Sequence, residues 1–136
     1  METIYHECYV SLEVAKLLKE VGFDWKCNGV FLSEDGTQYA FIKADAACDN
    51  NNSKYNPYNI SAPTLDIAQR WLREVKNLVI LIDISPSYCN WKPNGYKFVI
   101  HISCGNHIFV EWKDTYEEAQ EAGIKKALEI ILDKGY

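Results

Sequence analysis

Two pairs of cysteine and histidine lie close together in the sequence. Cys104 and His107 are separated by a Gly-Asn step that is typical of a tight turn, and His6 lies two residues before Cys8. Thiolate and imidazole groups bind zinc, and two such pairs could supply a structural site. The usual zinc signatures contain two closely spaced cysteines, which this sequence lacks. We therefore interpret the cysteines as small hydrophobic residues, and we expect no metal and no cofactor.

Catalytic groups are the second possibility. A nucleophilic cysteine needs a lowered thiol pKa, which a helix N-terminus or a nearby cation provides. None of the five cysteines begins a predicted helix. The acidic pairs Glu34-Asp35 and Glu117-Glu118 fall in a predicted turn and at a predicted helix N-terminus, where carboxylates have structural roles. We therefore predict no catalytic residue and a protein that is not an enzyme, with a small Cys/His hydrolase as the enzymatic alternative.

Aromatic residues give the best indication of a binding surface. Tyr55 and Tyr58 lie in an Asn-rich tract, and Trp91 lies in the stretch 86–95, which also contains proline, asparagine and glycine. Rings among Asn and Lys side chains are typical of surfaces that bind proteins, bases or sugars. The alternative is that these rings cover an open edge of the core. We predict that Tyr55, Tyr58 and Trp91 contact a partner.

Composition limits the partner and the compartment. The 136 residues carry a formal net charge of −5, from 14 Lys and Arg against 19 Asp and Glu. General nucleic-acid binding needs an excess of clustered cations, so we expect none. The first residues do not resemble a signal peptide, and the longest apolar run, 78–82, is too short to cross a membrane. Five scattered cysteines are typical of reduced thiols, and we predict a cytoplasmic protein.

The elements that must position these residues follow from hydrophobic periodicity and capping residues. A first helix is predicted at about 12–21, with Ser11 as its N-cap. A second helix is predicted at about 63–76, with Ser61 or Thr64 as its N-cap. Both have one apolar stripe and one charged face, so both are expected to pack on a core.

The third helix carries the strongest pattern. It is predicted from the Thr115 cap to about residue 133. Small side chains recur at every fourth position, at Ala119, Gly123 and Ala127. Because small side chains let a helix backbone come close to a sheet or to another helix, we predict that this strip packs tightly.

Five strands complete the predicted order α-β-β-α-β-β-β-α. They are expected at about 25–32, 38–43, 78–84, 96–104 and 107–112. The strand at 78–84 is apolar at nearly every position, which favours a central strand covered on both faces. The connection at about 44–62 is long and rich in turn-forming residues, and we interpret it as an ordered crossover. The sequence therefore predicts one two-layer α+β domain over 1–136, a mostly antiparallel sheet with helices packed on it.

Three segments of the sequence resemble a group of known proteins. They are YVSLEVAKLLKEVGFDWKC, NISAPTLDIAQRWLREVKNLVI and DTYEEAQEAGIKKALEIIL. They are similar to small proteins of phages and integrated elements of anaerobic gut bacteria. The resemblance implies an intracellular accessory protein but no activity and no site residues. We therefore expect a non-enzymatic protein that binds a macromolecular partner, most simply a protein, with a nucleic-acid-associated protein as the alternative.

Overall fold

A computed structural model of the chain describes residues 8–48, 52, 57–86, 93–102 and 107–134. It confirms the α+β class, and the predicted element order holds with one short strand added. The strands of the described part form two small antiparallel sheets where a single sheet was expected. The elements are α1 (Leu12–Glu20), β1 (Cys27–Leu32), β2 (Ala40–Cys48), β3 (Ile60–Ser61), α2 (Leu65–Val75), β4 (Val79–Pro86), β5 (Pro93–His101), β6 (His107–Lys113) and α3 (Tyr116–Lys134).

Side-chain caps begin all three helices. The hydroxyl oxygens of Ser11, Thr64 and Thr115 each accept the backbone N–H three residues further along the chain, at 3.3, 3.3 and 3.1 Å. Each cap satisfies one of the N–H groups that the first helical turn leaves without a partner. The caps predicted at Ser11 and Thr115 are confirmed, and Thr64 is the cap of α2.

The C-terminal sheet has the order β4-β5-β6, and α3 packs on one of its faces. The closest approach is at Gly123, where an added Cβ would lie 2.9 Å from Ile80 Cγ2 and 3.0 Å from Phe98 Cβ. Ala119 and Ala127 are also fully buried. The predicted tight packing of the small-residue strip is confirmed, since only the absence of a side chain at Gly123 allows this distance.

The N-terminal sheet has the order β2-β1-β3 and enters the predicted connection 44–62 from both ends. At one end, β2 continues to Cys48; at the other, β3 pairs with β1. Lys43 pairs with Gly29, but the next pair is Cys48 with Cys27, so β2 contains several more residues than β1 in this interval. The connection predicted at about 44–62 is therefore shorter than expected, because strand residues occupy both of its ends.

The position of β4 also differs from the prediction. The apolar run at 78–84 was expected to form a central strand, but β4 lies at an edge of its sheet. Ile80 is buried against α3, whereas Leu81 and Ile84 are 49% and 53% exposed. Leu81 points to the face that the helices leave open, whereas Ile84 is on the same face as Ile80 but near the end of the strand, where it is exposed.

One hydrophobic core joins residues of both sheets and all three helices. A polar network crosses it, in which the Gln120 side chain donates to Asp66 at 2.7 Å and to Gln69 at 2.8 Å. Gln69 in turn donates to the carbonyl of Ile80 at 2.7 Å, so the network links α3, α2 and β4. Within the described residues, the buried indole N–H of Trp71 has no hydrogen-bond partner. Its ring forms an edge contact with Phe23 and a cation–π contact with Lys76.

Candidate interaction surfaces

Of the three aromatic residues predicted to contact a partner, the structure describes Tyr58. Tyr55 and Trp91 lie outside the described residues. Tyr58 is 44% exposed, and its ring lies against Gly36 in the turn between β1 and β2. An added Cβ on Gly36 would be 2.8 Å from the ring, and Gly36 has a φ of +80°, so this position favours glycine. Tyr58 therefore presents one side to solvent while its other side covers the turn.

The segment around Tyr58 is held to its neighbours by polar contacts. The Lys19 ammonium of α1 donates to the carbonyls of Pro57 and Asn59. The Asn59 side-chain oxygen accepts the backbone N–H of Ser33 at 3.3 Å. This part of the connection is therefore an ordered strap over the β1–β2 turn, as the sequence predicted for the connection as a whole.

A cleft of about 560 Å³ lies beside this turn, lined in part by Asp35, Gln38, Tyr39 and Asn59. One carboxylate oxygen of Asp35 accepts the backbone N–H groups of Thr37 at 2.9 Å and Gln38 at 3.3 Å. These hydrogen bonds lower the pKa of the Asp35 carboxyl below its ordinary value, because they stabilise the charged form. The carboxylate is thus ionised and serves as a hydrogen-bond acceptor within the turn, which is a structural role.

The structure describes two of the cysteine side chains considered for metal binding or catalysis. Cys8 is an exposed free thiol, and Cys27 is a buried one. His6 and Cys104 lie outside the described residues. No group of three His, Cys, Asp or Glu side chains that could hold a metal is found among the residues described.

The outer face of the C-terminal sheet carries exposed apolar side chains on more than one strand. We define it as the face opposite α3, with Leu81 on β4, Val99 on β5 and Trp112 on β6. Leu81 pairs with Val99 across the two strands. Leu81 and Trp112 are 49% and 48% exposed, whereas Val99 between them is buried at 5%. No described helix or strand covers this face. Trp112 pairs with Lys97 on β5, in the row next to the Leu81–Val99 pair. We call Leu81, Val99 and Trp112 the apolar stripe, of which Leu81 and Trp112 are open to solvent.

Trp112 is held in place on this stripe. Its ring packs beside Gly95, where an added Cβ would lie 3.5 Å from the ring, at an ordinary van der Waals distance. The Lys97 ammonium lies 5.1 Å from the ring centroid, in a cation–π contact. A tryptophan that is fixed in advance loses little conformational entropy on binding, which is favourable for an interface.

The charges next to the stripe nearly cancel. Lys97 pairs in register with Asp83 of β4, so one cation stands beside one anion. Lys97 reaches toward Trp112 on the β6 side, and Asp83 forms no ion pair with the other described residues. The surface is therefore apolar and close to neutral, with an exposed carboxylate on the β4 side.

The sequence contained a signal for this face that the prediction interpreted differently. An apolar residue at every position of a strand is typical of burial on both faces. The same pattern occurs when one apolar face of the strand is an exposed binding surface. Asp83 within the apolar run marks the second case, because a strand covered on both faces rarely holds an unpaired charge.

Comparison of the chain with protein-family models, with curated proteins and with solved structures gave no match. Any functional conclusion therefore rests on the geometry of the surfaces described above. Among the helices of the described part, none is long and apolar enough to cross a membrane.

Proposed function

We propose that the protein is a non-enzymatic binding protein whose partner is another protein. The observation that supports this most directly is the apolar stripe Leu81–Val99–Trp112 on the outer face of the C-terminal sheet. Large apolar side chains in a contiguous exposed patch mark interaction sites more often than isolated ones do. Tryptophan is also the residue type that most often dominates the binding energy of an interface.

The charge of this face favours a protein over a nucleic acid. Nucleic-acid binding takes most of its affinity from Lys and Arg placed against phosphates. On the outer face, Lys97 is opposed by Asp83, and the chain as a whole has a formal net charge of −5. An apolar protein surface would bury the stripe without bringing a carboxylate against phosphate groups.

The setting of this function is part of the same proposal. We propose that the protein acts in the cytoplasm, as an accessory product of a phage or an integrated element. The support comes from the sequence resemblance and from five scattered cysteines, which suit a reducing compartment.

A pair of variants tests the outer face. The tagged full chain is used to capture partners from host extract, and the captured protein is then titrated against purified variants. The double change Leu81→Ala and Trp112→Ala is expected to weaken binding roughly 30-fold or more, which corresponds to about 2 kcal/mol. The matched control is Leu132→Ala on α3, which is similarly exposed at 44% but lies on a different surface.

Two outcomes would contradict the proposal. If the double variant binds as tightly as the parent, or if Leu132→Ala loses as much affinity, the outer face is not the interface. If the captured material is nucleic acid and Lys97→Ala releases it, the nucleic-acid alternative replaces the proposal.

A further inference from the structure

Among the described strands, none pairs with the edge of β4 that faces away from β5, and this edge has backbone groups for another strand. Gln69 of α2 donates to the carbonyl of Ile80, and β4 has β5 on one side only. We infer that this carbonyl faces the edge away from β5. Along an antiparallel strand, successive residues direct their N–H and C=O groups alternately to the two sides. Ile82 and Ile84 therefore direct their backbone groups to the same edge as Ile80, beyond the point that Gln69 covers.

The side chains of this edge are unusually apolar. Leu81 and Ile84 are the two most exposed large apolar side chains among the described residues, at 49% and 53%. They point to opposite faces of the sheet, since residues alternate along a strand. Exposed edge strands are normally protected by lysines, prolines or bulges, because an unprotected edge pairs with other chains. On β4, the bulge and Pro86 come only at the end of the strand, after Ile84.

We propose that the β4 edge binds an extended segment of the partner protein as an added strand, with a Lys or Arg of that segment opposite Asp83. This inference rests on the proposed function, because it names how a protein partner engages the same sheet. The added strand would pair with the backbone of Ile82 and Ile84 and would cover the exposed sides of Leu81 and Ile84. Its basic side chain would form an ion pair with Asp83, whose neighbour Lys97 is directed toward Trp112.

A second copy of the chain fits this edge less well. A two-fold antiparallel pairing centred on Asp83 would place two aspartates directly opposite each other, which is destabilising. Moving the centre to Ile82 would require the backbone of Ile80, whose carbonyl already accepts from Gln69. Moving it to Ile84 would bring in Pro86, which has no N–H to donate. Nucleic acid is also disfavoured, since Asp83 is the charged group on this edge.

The test uses selected peptides as probes. A library of random 12-residue peptides is selected on the immobilised full chain, and the enriched peptides are synthesised and titrated in solution. We expect them to alternate apolar residues and to carry a Lys or Arg at a fixed position. Asp83→Lys should weaken their binding roughly tenfold or more. Peptides in which the fixed basic residue is changed to Glu should regain affinity for the Asp83→Lys variant.

Two variants at one position separate backbone pairing from side-chain contact. Ile84→Ala and Ile84→Pro both remove the exposed side chain, but only proline also removes the outward N–H. Proline at this position leaves the ladder to β5 intact, because it is tolerated where the N–H faces away from the sheet. We expect Ile84→Pro to bind the peptides roughly tenfold more weakly than Ile84→Ala. Circular dichroism of both variants confirms that they are folded.

The results distinguish this inference from the proposed function. Peptides that lose affinity with the Leu81→Ala and Trp112→Ala double variant, but bind the two Ile84 variants equally, would support the outer face and overturn strand addition. Peptides that bind Ile84→Pro more weakly than Ile84→Ala, and that are unaffected by Trp112→Ala alone, would support strand addition and overturn the outer face. Failure to enrich any peptide would overturn the inference. So would a dimer in sedimentation that Ile84→Pro dissociates, since a second copy would then occupy the edge.

Discussion

The two sheets of this protein use their exposed surfaces in different ways. On the N-terminal sheet, the exposed ring of Phe41 lies 5.0 Å from Tyr9 and 5.4 Å from Phe31, centroid to centroid, and the strap at Pro57–Asn59 is fixed to the adjoining turn. On the C-terminal sheet, one face is closed by α3, and no described element covers the other. Exposure alone therefore does not identify a binding surface. What distinguishes the C-terminal sheet is that large exposed apolar residues lie on two of its strands, on a face that no described helix or strand covers.

The largest expected effect compares one phenylalanine from each sheet. Phe98 is fully buried beneath α3, so Phe98→Ala should lower the free energy of unfolding by about 3–5 kcal/mol. Phe41 is 43% exposed, and Phe41→Ala should cost only about 1 kcal/mol through its lost ring contacts. Urea denaturation of the two variants measures both values. Equal losses would mean that the N-terminal sheet is as closely packed as the C-terminal one.

A second prediction concerns how α3 closes its face of the C-terminal sheet. Gly123→Leu should cost about 1–3 kcal/mol, because the new side chain must push Ile80 and Phe98 apart. Glu129→Leu is the matched control on the exposed side of α3 and should leave thermal stability nearly unchanged. If thermal melting shows Gly123→Leu to be as stable as the parent, the close approach of the helix to the sheet is incorrect.

The smallest expected effect is a pH dependence at the turn of the N-terminal sheet. The pKa of Asp35 is lowered in the folded protein by hydrogen bonds from Thr37 and Gln38. A carboxyl group whose pKa is lower in the folded than in the unfolded state stabilises the fold at pH values above its unfolded pKa. This contribution is lost as the pH falls through the folded pKa. The stability difference between the parent and Asp35→Asn should therefore be present at pH 6 and should shrink on acidification below the ordinary value of 3.8. A difference that is constant down to pH 3 would contradict this linkage.

Local sequence signals predicted most of the fold. Capping residues located the helix starts, and the spacing of Ala119, Gly123 and Ala127 predicted the contact between α3 and the sheet. These features succeed because they depend on residues within a few positions of one another. The division into two sheets depends on pairing between distant strands, as between β1 and β3, and no local pattern encodes it.

The candidate site was harder to predict for the same reason. Tyr58 was identified because it lies in an Asn-rich tract, and its side chain is partly exposed. Leu81 and Trp112 were assigned to strands but not to a binding surface, because their exposure depends on which face the helices leave open. Tertiary packing determines which face of the sheet the helices cover. The alternation of side chains along one strand is the same whichever face is covered.

The contact between α1 and α3 has a consequence for biosynthesis. The backbone N–H of Ser11 donates to the Glu121 carboxylate at 2.9 Å, and Glu13 forms an ion pair with Lys125 at 2.9 Å. These bonds join positions about 110 residues apart. A ribosome adds residues at roughly 5–20 per second, so α1 leaves the exit tunnel several seconds before its docking site on α3 exists. Before α3 is made, the chain contains β1 to β6 and α2 but lacks the helix on which α1 docks. The nascent chain therefore acquires its complete core only after release of α3.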